Sequence, residues 1–137
     1  MKANILTLVL LLFAVAFLVV HTAHQPWTAA RIAGAALGVP ALAFLVLARL
    51  QLGGSFSLRP EAQVLVTHGL YSRIRNPIYV FGTLVITAFF LYIDQPLALL
   101  ILVVVVPLQI RRARQETKVL EEKFGEEYRQ YRARTWF

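Results

Sequence analysis

The sequence predicts an all-α integral membrane protein of about four transmembrane helices, with a cytoplasmic connecting loop and a C-terminal amphipathic helix. Three observations carry that prediction. Hydrophobic residues make up 58% of the 137 residues and charged residues only 15%, against about 45–50% and about 25% in a soluble domain. The apolar residues fall into four runs separated by polar segments, and mean hydropathy is +0.65. The charges gather at the ends of those runs, where long basic side chains reach the headgroups. The composition excludes a disordered chain, a collagen-like fibre and a disulfide scaffold, since there is no cysteine. The length suits a single domain over residues 1–137. A net charge of +7 raises nucleic acid as a partner. The basic residues flank apolar runs rather than forming a patch on a soluble fold, so no nucleic-acid binding is expected.

The first run, residues 4–20, follows Lys2. It is longer than the about 7–15 apolar residues of a secretory signal, and His21-Thr22-Ala23 is a poor cleavage site, so it reads as a span. The second run, residues 29–50, contains Gly34 and Gly38, a spacing of small residues that lets another helix approach closely. Pro40 predicts a kink there. Runs three and four, residues 77–93 and 96–110, are short beside the about 20 residues of an average span. The turn Asp94-Gln95-Pro96 joins them into a helical hairpin, and flanking Arg75 and Arg111 lengthen both by snorkelling.

Charge sets the expected orientation. Lys2, then Arg49, Arg59, Arg73 and Arg75, then Arg111, Arg112, Arg114 and Lys118 lie on one side of this arrangement. The other side holds only Arg31 and Asp94. Positive charge favours the cytoplasm, so both termini and the central loop are expected there. Beyond residue 110, Leu120, Phe124, Tyr128 and Tyr131 recur at helical spacing, predicting an amphipathic helix over about 111–134 along the membrane surface.

The polar segments hold the candidate chemistry. The loop over residues 51–76 is broken by Gly53-Gly54, Pro60 and Gly69, while Val64-Leu65-Val66 is apolar enough to dip toward the bilayer. Asn76-Pro77 reads as an N-cap followed by proline in the first helical turn. Tyr71, Arg75 and Tyr79 would then present two hydroxyls and a guanidinium at the membrane boundary. Glu116, within two turns of the fourth run, is placed to meet Arg75. His21 and His24 have a spacing that can bind metal, but no carboxylate or cysteine is near them in sequence, so no metal is expected. Trp27 and Trp136 suit the aromatic belt of a membrane protein.

The segment Leu65-Val-Thr-His-Gly69-Leu-Tyr71-Ser-Arg-Ile-Arg75-Asn76-Pro77-Ile-Tyr79 resembles the central motif of the isoprenylcysteine carboxyl methyltransferase family. That motif runs glycine, any residue, tyrosine, three residues, then arginine-histidine-proline, any residue and tyrosine. The tail from Glu116 through Phe124-Gly125 to Tyr128 looks like the family's second motif. The resemblance runs from about Gly53 onward and extends to phospholipid N-methyltransferases, which share the design. It implies an S-adenosylmethionine-dependent membrane methyltransferase, yielding S-adenosylhomocysteine, with a lipophilic acceptor entering from the bilayer. By the same resemblance, Gln63, Leu65, Val66, Gly69, Tyr71, Asn76, Pro77, Tyr79 and Glu116 would bind the cofactor. Arg75 and Glu116 would be the catalytic pair, Arg75 binding a carboxylate of acceptor or cofactor. Asn76 stands at the family's histidine position, Thr117 at its second glutamate, and Phe81 where a glycine is usual.

The implied acceptor is an isoprenoid or prenyl-thioether carboxylate. A phospholipid amine is the alternative within the same class, and a non-catalytic membrane adaptor or transporter subunit the alternative outside it. The last predicts ionisable residues inside the spans; Arg31, Arg49 and Asp94 all lie at span ends.

Overall fold

The computed structural model describes residues 2–53 and 65–137, and among them every regular element is helical. Helix α1 spans Lys2–His21, α2 Ala29–Leu52, α3 Pro77–Tyr92, α4 Leu102–Phe124 and α5 Glu126–Ala133. Two 3₁₀ turns, Gly69–Ser72 and Pro96–Ile101, complete the order. Two of these units, Ala29–Leu52 and the continuous Pro96–Phe124, are long and apolar enough to cross a membrane; the apolar stretches Ile5–His21 and Pro77–Tyr92 are shorter.

Helix α1 is apolar on every side, and Leu6, Phe13, Phe17 and Val20 are exposed around its circumference. A helix of that kind is stable where its surroundings are themselves apolar. The corner after α1 ties it to α3. The buried Arg31 guanidinium donates to the Gln25 carbonyl (2.8 Å), to the Thr22 carbonyl and to the Tyr92 hydroxyl (3.0 Å). Since the Thr22 hydroxyl donates to the Leu18 carbonyl (2.7 Å), the Tyr92 hydroxyl must donate to Thr22 (2.7 Å). The guanidinium also lies over the rings of Trp27 and Tyr92, 4.5 and 4.7 Å from their centroids. Arg31 is therefore not a snorkelling end residue. Carbonyls and aromatic faces share its charge, and it is 2% exposed.

Helices α2 and α3 form the main packed pair. The small residues foreseen at 34 and 38 lie in this seam: a Cβ on Gly34 would come 2.7 Å from the Ala88 carbonyl oxygen, and one on Gly38 3.1 Å from the Ala88 methyl. With Ala41, Ala48 and Ala88 also buried, the backbones meet with little side chain between them. Helix α2 continues as one element through Pro40. The stacked rings of Phe44 and Phe81, 5.1 Å apart, close the seam further along.

Asp94 makes the turn after α3 with φ +57°, a region that Asp tolerates better than bulkier residues. The fourth apolar run differs from the expected single helix. Its first six residues are 3₁₀, and α4 then continues without a break from Leu102 to Phe124. A 3₁₀ turn rises about 2.0 Å per residue against about 1.5 Å for an α-helix, so the short run reaches further than its residue count suggests. The expected surface helix over 111–134 is corrected in the same way. Its first half is the outward continuation of α4, and only α5 is a separate element. Gly125 (φ +52°) ends α4, with its N–H bonded to the Glu121 carbonyl at 2.9 Å.

Past α5 the chain returns to the start of α3. Trp136 N–H donates to the Arg73 carbonyl (2.9 Å), Arg75 N–H to the Trp136 carbonyl (3.1 Å) and Asn76 N–H to the Phe137 carbonyl (2.9 Å). These bonds form a short parallel bridge at Ile74 and Trp136. Asn76 occupies the N-cap position of α3, but its side chain makes no capping bond; the backbone carbonyl receives the Tyr79 and Val80 N–H groups instead.

Candidate functional site

The two motif segments meet at the end of α3 where α4 leaves the apolar region. Tyr79, in the first turns of α3, donates its hydroxyl proton to Glu116 Oε1 at 2.7 Å, and Arg112 Nε donates to the same oxygen at 3.2 Å. Arg112 lies one turn before Glu116 on α4, a spacing that sets the pair side by side. Both bonds end on Oε1, and among the described residues no donor reaches Oε2. Glu116 is thus held by Tyr79 and Arg112 and not by Arg75, the partner expected from sequence. The physical reason is helix direction: α4 carries Glu116 past the side of α3 on which Tyr79 stands.

A second junction lies beside the first. The buried Tyr131 of α5 donates its hydroxyl to the Tyr71 carbonyl at 2.6 Å. Tyr71 is itself buried, and burial raises its phenol pKa first of all, followed by the neighbouring Tyr131, with Glu116 and Tyr79 adding smaller increments against the opposing charge of Arg49. Those electrostatic neighbours place Tyr71 in one cluster with both partners of the Tyr79–Glu116 bond. Tyr131 is pushed up to about 12, mainly by burial and then by Tyr128. Both phenols therefore stay protonated at neutral pH, and Tyr131 uses its proton in the bond to the Tyr71 carbonyl.

Arg75 is half-buried, and its Nε is a buried donor without a partner among the described residues. Such a group is costly unless something completes it. Gly69 has φ +60°, which favours glycine, and a Cβ there would push aside the Gln51 side-chain amide. Gln51 Oε1 accepts the Leu70 N–H at 2.8 Å, fastening the turn to the end of α2. Pro77 is fully buried at the start of α3, and Leu65 and Val66 are half-buried just before the turn. Gln63 lies outside the described residues.

Several positioning residues were not legible in the sequence. Gln51 reaches its partner, the Leu70 N–H, only across the connecting segment, and the one signal for Arg112 was its place four residues before Glu116. The residues that depart from the family motif have local uses here. Thr117 accepts the Tyr128 hydroxyl (3.2 Å), pinning α5 to α4, and Phe81 stacks on Phe44. Thr83 approaches the Gln109 side-chain amide oxygen at 2.8 Å inside the apolar region; a lone Gln within the fourth run was the only signal for that contact.

Apolar helices converging on a half-buried carboxylate, a guanidinium and paired phenols describe a membrane-associated protein with a polar site at one end of its helices. Residues 29–127 match the phospholipid methyltransferase family, and the chain belongs to that family. The matched stretch takes in α2, the connecting turn, α3 and α4, and so contains both partners of the Tyr79–Glu116 bond. No curated protein and no solved structure shows significant similarity to the chain.

Proposed function

We propose that the chain is a single-domain, S-adenosylmethionine-dependent methyltransferase that modifies a lipophilic acceptor where the membrane meets the cytoplasm. The 2.7 Å bond between Tyr79 and Glu116, which joins the two motif segments of a methyltransferase family, carries this reading. In this proposal the four apolar runs cross the membrane, with both termini and the connecting loop on the cytoplasmic side, in keeping with the basic residues there.

The donor set suits the amino-acid head of such a cofactor. Arg75 Nε lacks an acceptor that a carboxylate would supply, and Glu116 Oε2 is open to an ammonium group. Leu65, Val66, Gly69, Tyr71, Asn76, Pro77 and Tyr79 would line the same site, with Gln63 contributing from the loop. When bound, S-adenosylmethionine supplies a methyl group on a sulfonium centre, which leaves readily on displacement. The protein's task is alignment and exclusion of water. Tyr79 and Arg112 hold Glu116 in one orientation, Tyr131 fixes the turn that carries Tyr71, and the apolar helices keep the surroundings dry. A carboxylate acceptor is nucleophilic at neutral pH and needs no base. An amine acceptor must lose a proton, and Glu116 is the candidate carboxylate to receive it.

The match to the phospholipid methyltransferase family gives the phospholipid amine reading support equal to that of the prenyl-thioether carboxylate. Calorimetric titration of S-adenosylmethionine and S-adenosylhomocysteine into detergent-purified protein tests the cofactor. Saturable binding, weakened about tenfold or more by Glu116→Gln through loss of a charge-assisted contact, is expected. Absence of binding to folded protein overturns the reading. Transfer of labelled methyl to phosphatidylethanolamine or to a prenyl-thioether carboxylate then separates the two acceptors.

A further inference from the structure

Helix α4 carries a second polar feature, on the side away from the site. A concavity of about 430 Å³ is lined by Pro107, Ile110, Arg111, Arg114, Gln115 and Lys118. These residues recur at three- and four-residue spacing and so share one face. Ala113, the buried residue of α4, and Glu116 lie on roughly the opposite side of the helix, with Arg112 beside Glu116. The concavity is thus separate from the Tyr79–Glu116 junction.

Its lining changes character along the helix. Pro107 and Ile110 belong to the apolar end, while Arg111, Arg114, Gln115 and Lys118 are exposed just beyond it. From Arg111 to Lys118 the helix rises about 10 Å, enough to span the about 5–8 Å headgroup layer at one side of a bilayer. The charge of this face is uncompensated. Arg112 pairs with Glu116 and Arg129 with Glu121 and Glu126, whereas Arg111, Arg114 and Lys118 have no carboxylate within ion-pair distance among the described residues. Three cations set above an apolar ledge match a ligand with an anionic head and a hydrocarbon tail.

We propose that this face of α4 is a binding site for one anionic phospholipid, its phosphate held by Arg111, Arg114 and Lys118 and its acyl chain lying along Ile110 and Pro107. The lipid is a resident neighbour and not the methyl acceptor, because the site faces away from Glu116. The assignment holds whether or not the chain transfers methyl groups.

The test uses the full chain in a neutral detergent, titrated with phosphatidylglycerol or with phosphatidylcholine of the same acyl chains. Lipid retention is read by native mass spectrometry. Phosphatidylglycerol has no amine to be methylated, so its retention is separable from acceptor binding. One phosphatidylglycerol per chain is expected, held at least tenfold more tightly than phosphatidylcholine. Each basic residue near a membrane surface contributes about fivefold to binding of anionic lipid, so Arg114→Gln with Lys118→Gln is expected to weaken retention about 20-fold. Arg129→Gln with Arg132→Gln removes the same charge from α5 and is expected to change it less than twofold. If the paired variant does not fold, Lys118→Gln alone, at an exposed position, carries the test with about a fivefold loss. Equal retention of the two lipids, or an equal loss in the α5 control, overturns the proposal. Displacement of the lipid by inorganic phosphate at similar concentration also overturns it, reassigning the site to a free anion.

Discussion

Replacing Tyr131 with Phe removes one hydroxyl from the point where α5 is fastened to the turn before α3. Tyr131 is 3% exposed, and its hydroxyl donates to the Tyr71 carbonyl at 2.6 Å. Phe keeps the ring and its packing, so the change isolates the hydrogen bond. A buried bond of this kind contributes about 1 kcal/mol net, and a carbonyl left short of a donor costs about 1–3 kcal/mol. A loss of about 2 kcal/mol, or about 30-fold in the equilibrium for local opening, is expected. The opening has specific reporters. The amides of Arg75, Asn76 and Trp136 are bonded only while the C-terminal segment is docked, at 3.1, 2.9 and 2.9 Å. Hydrogen exchange of detergent-purified Tyr131→Phe should therefore be about 10- to 30-fold faster at those three amides. Amides in the α2–α3 seam should exchange at the wild-type rate. Unchanged exchange at all three positions in a folded variant would refute the argument, showing that other contacts, such as Tyr128 to Thr117, suffice to hold α5.

Two further outcomes follow from the same geometry. Gly34→Ala should destabilise by about 1–3 kcal/mol, because the added methyl meets main-chain atoms of Ala88 and Tyr92 that have nowhere to move. Gly38→Ala faces only the Ala88 methyl, and the helix preference of Ala offsets the crowding, so thermal unfolding in detergent should place it within about 1 kcal/mol of wild type. Alkaline pH should loosen the α5 junction. The Tyr131 phenol titrates at about 12 in the folded protein against an ordinary value of 10.0. Above pH 10 the unfolded chain releases a proton that the folded one keeps, so stability is complete below pH 10 and falls as pH rises toward 12. The loss amounts to about 2–3 kcal/mol for this group. Unfolding followed against pH should show the decline in wild type and a shallower one in Tyr131→Phe. The buried Tyr71 phenol, also raised, contributes to what remains.

The sequence by itself determined the helical class, the starts of α2 and α3, and the close-packing spacing of Gly34 and Gly38. These depend on local and periodic properties: an apolar run with basic ends, a proline in the first helical turn, small residues one turn apart. It also marked Glu116, Tyr79, Tyr71 and Arg75 as candidates through two motif segments in the right order. Which of these meet was a tertiary matter. Glu116 sits beside Tyr79 because α4 continues straight past α3, and no local signal distinguishes that path from a helix folded back along a surface. The buried state of Arg31 likewise needed the Tyr92 ring and hydroxyl, sixty-one residues away in the chain. The Tyr131–Tyr71 bond joins residues sixty apart. Contacts of that range depend on how whole helices are placed against one another, a property distributed over the α2–α3 seam and the break at Gly125 rather than written at the residues that finally touch.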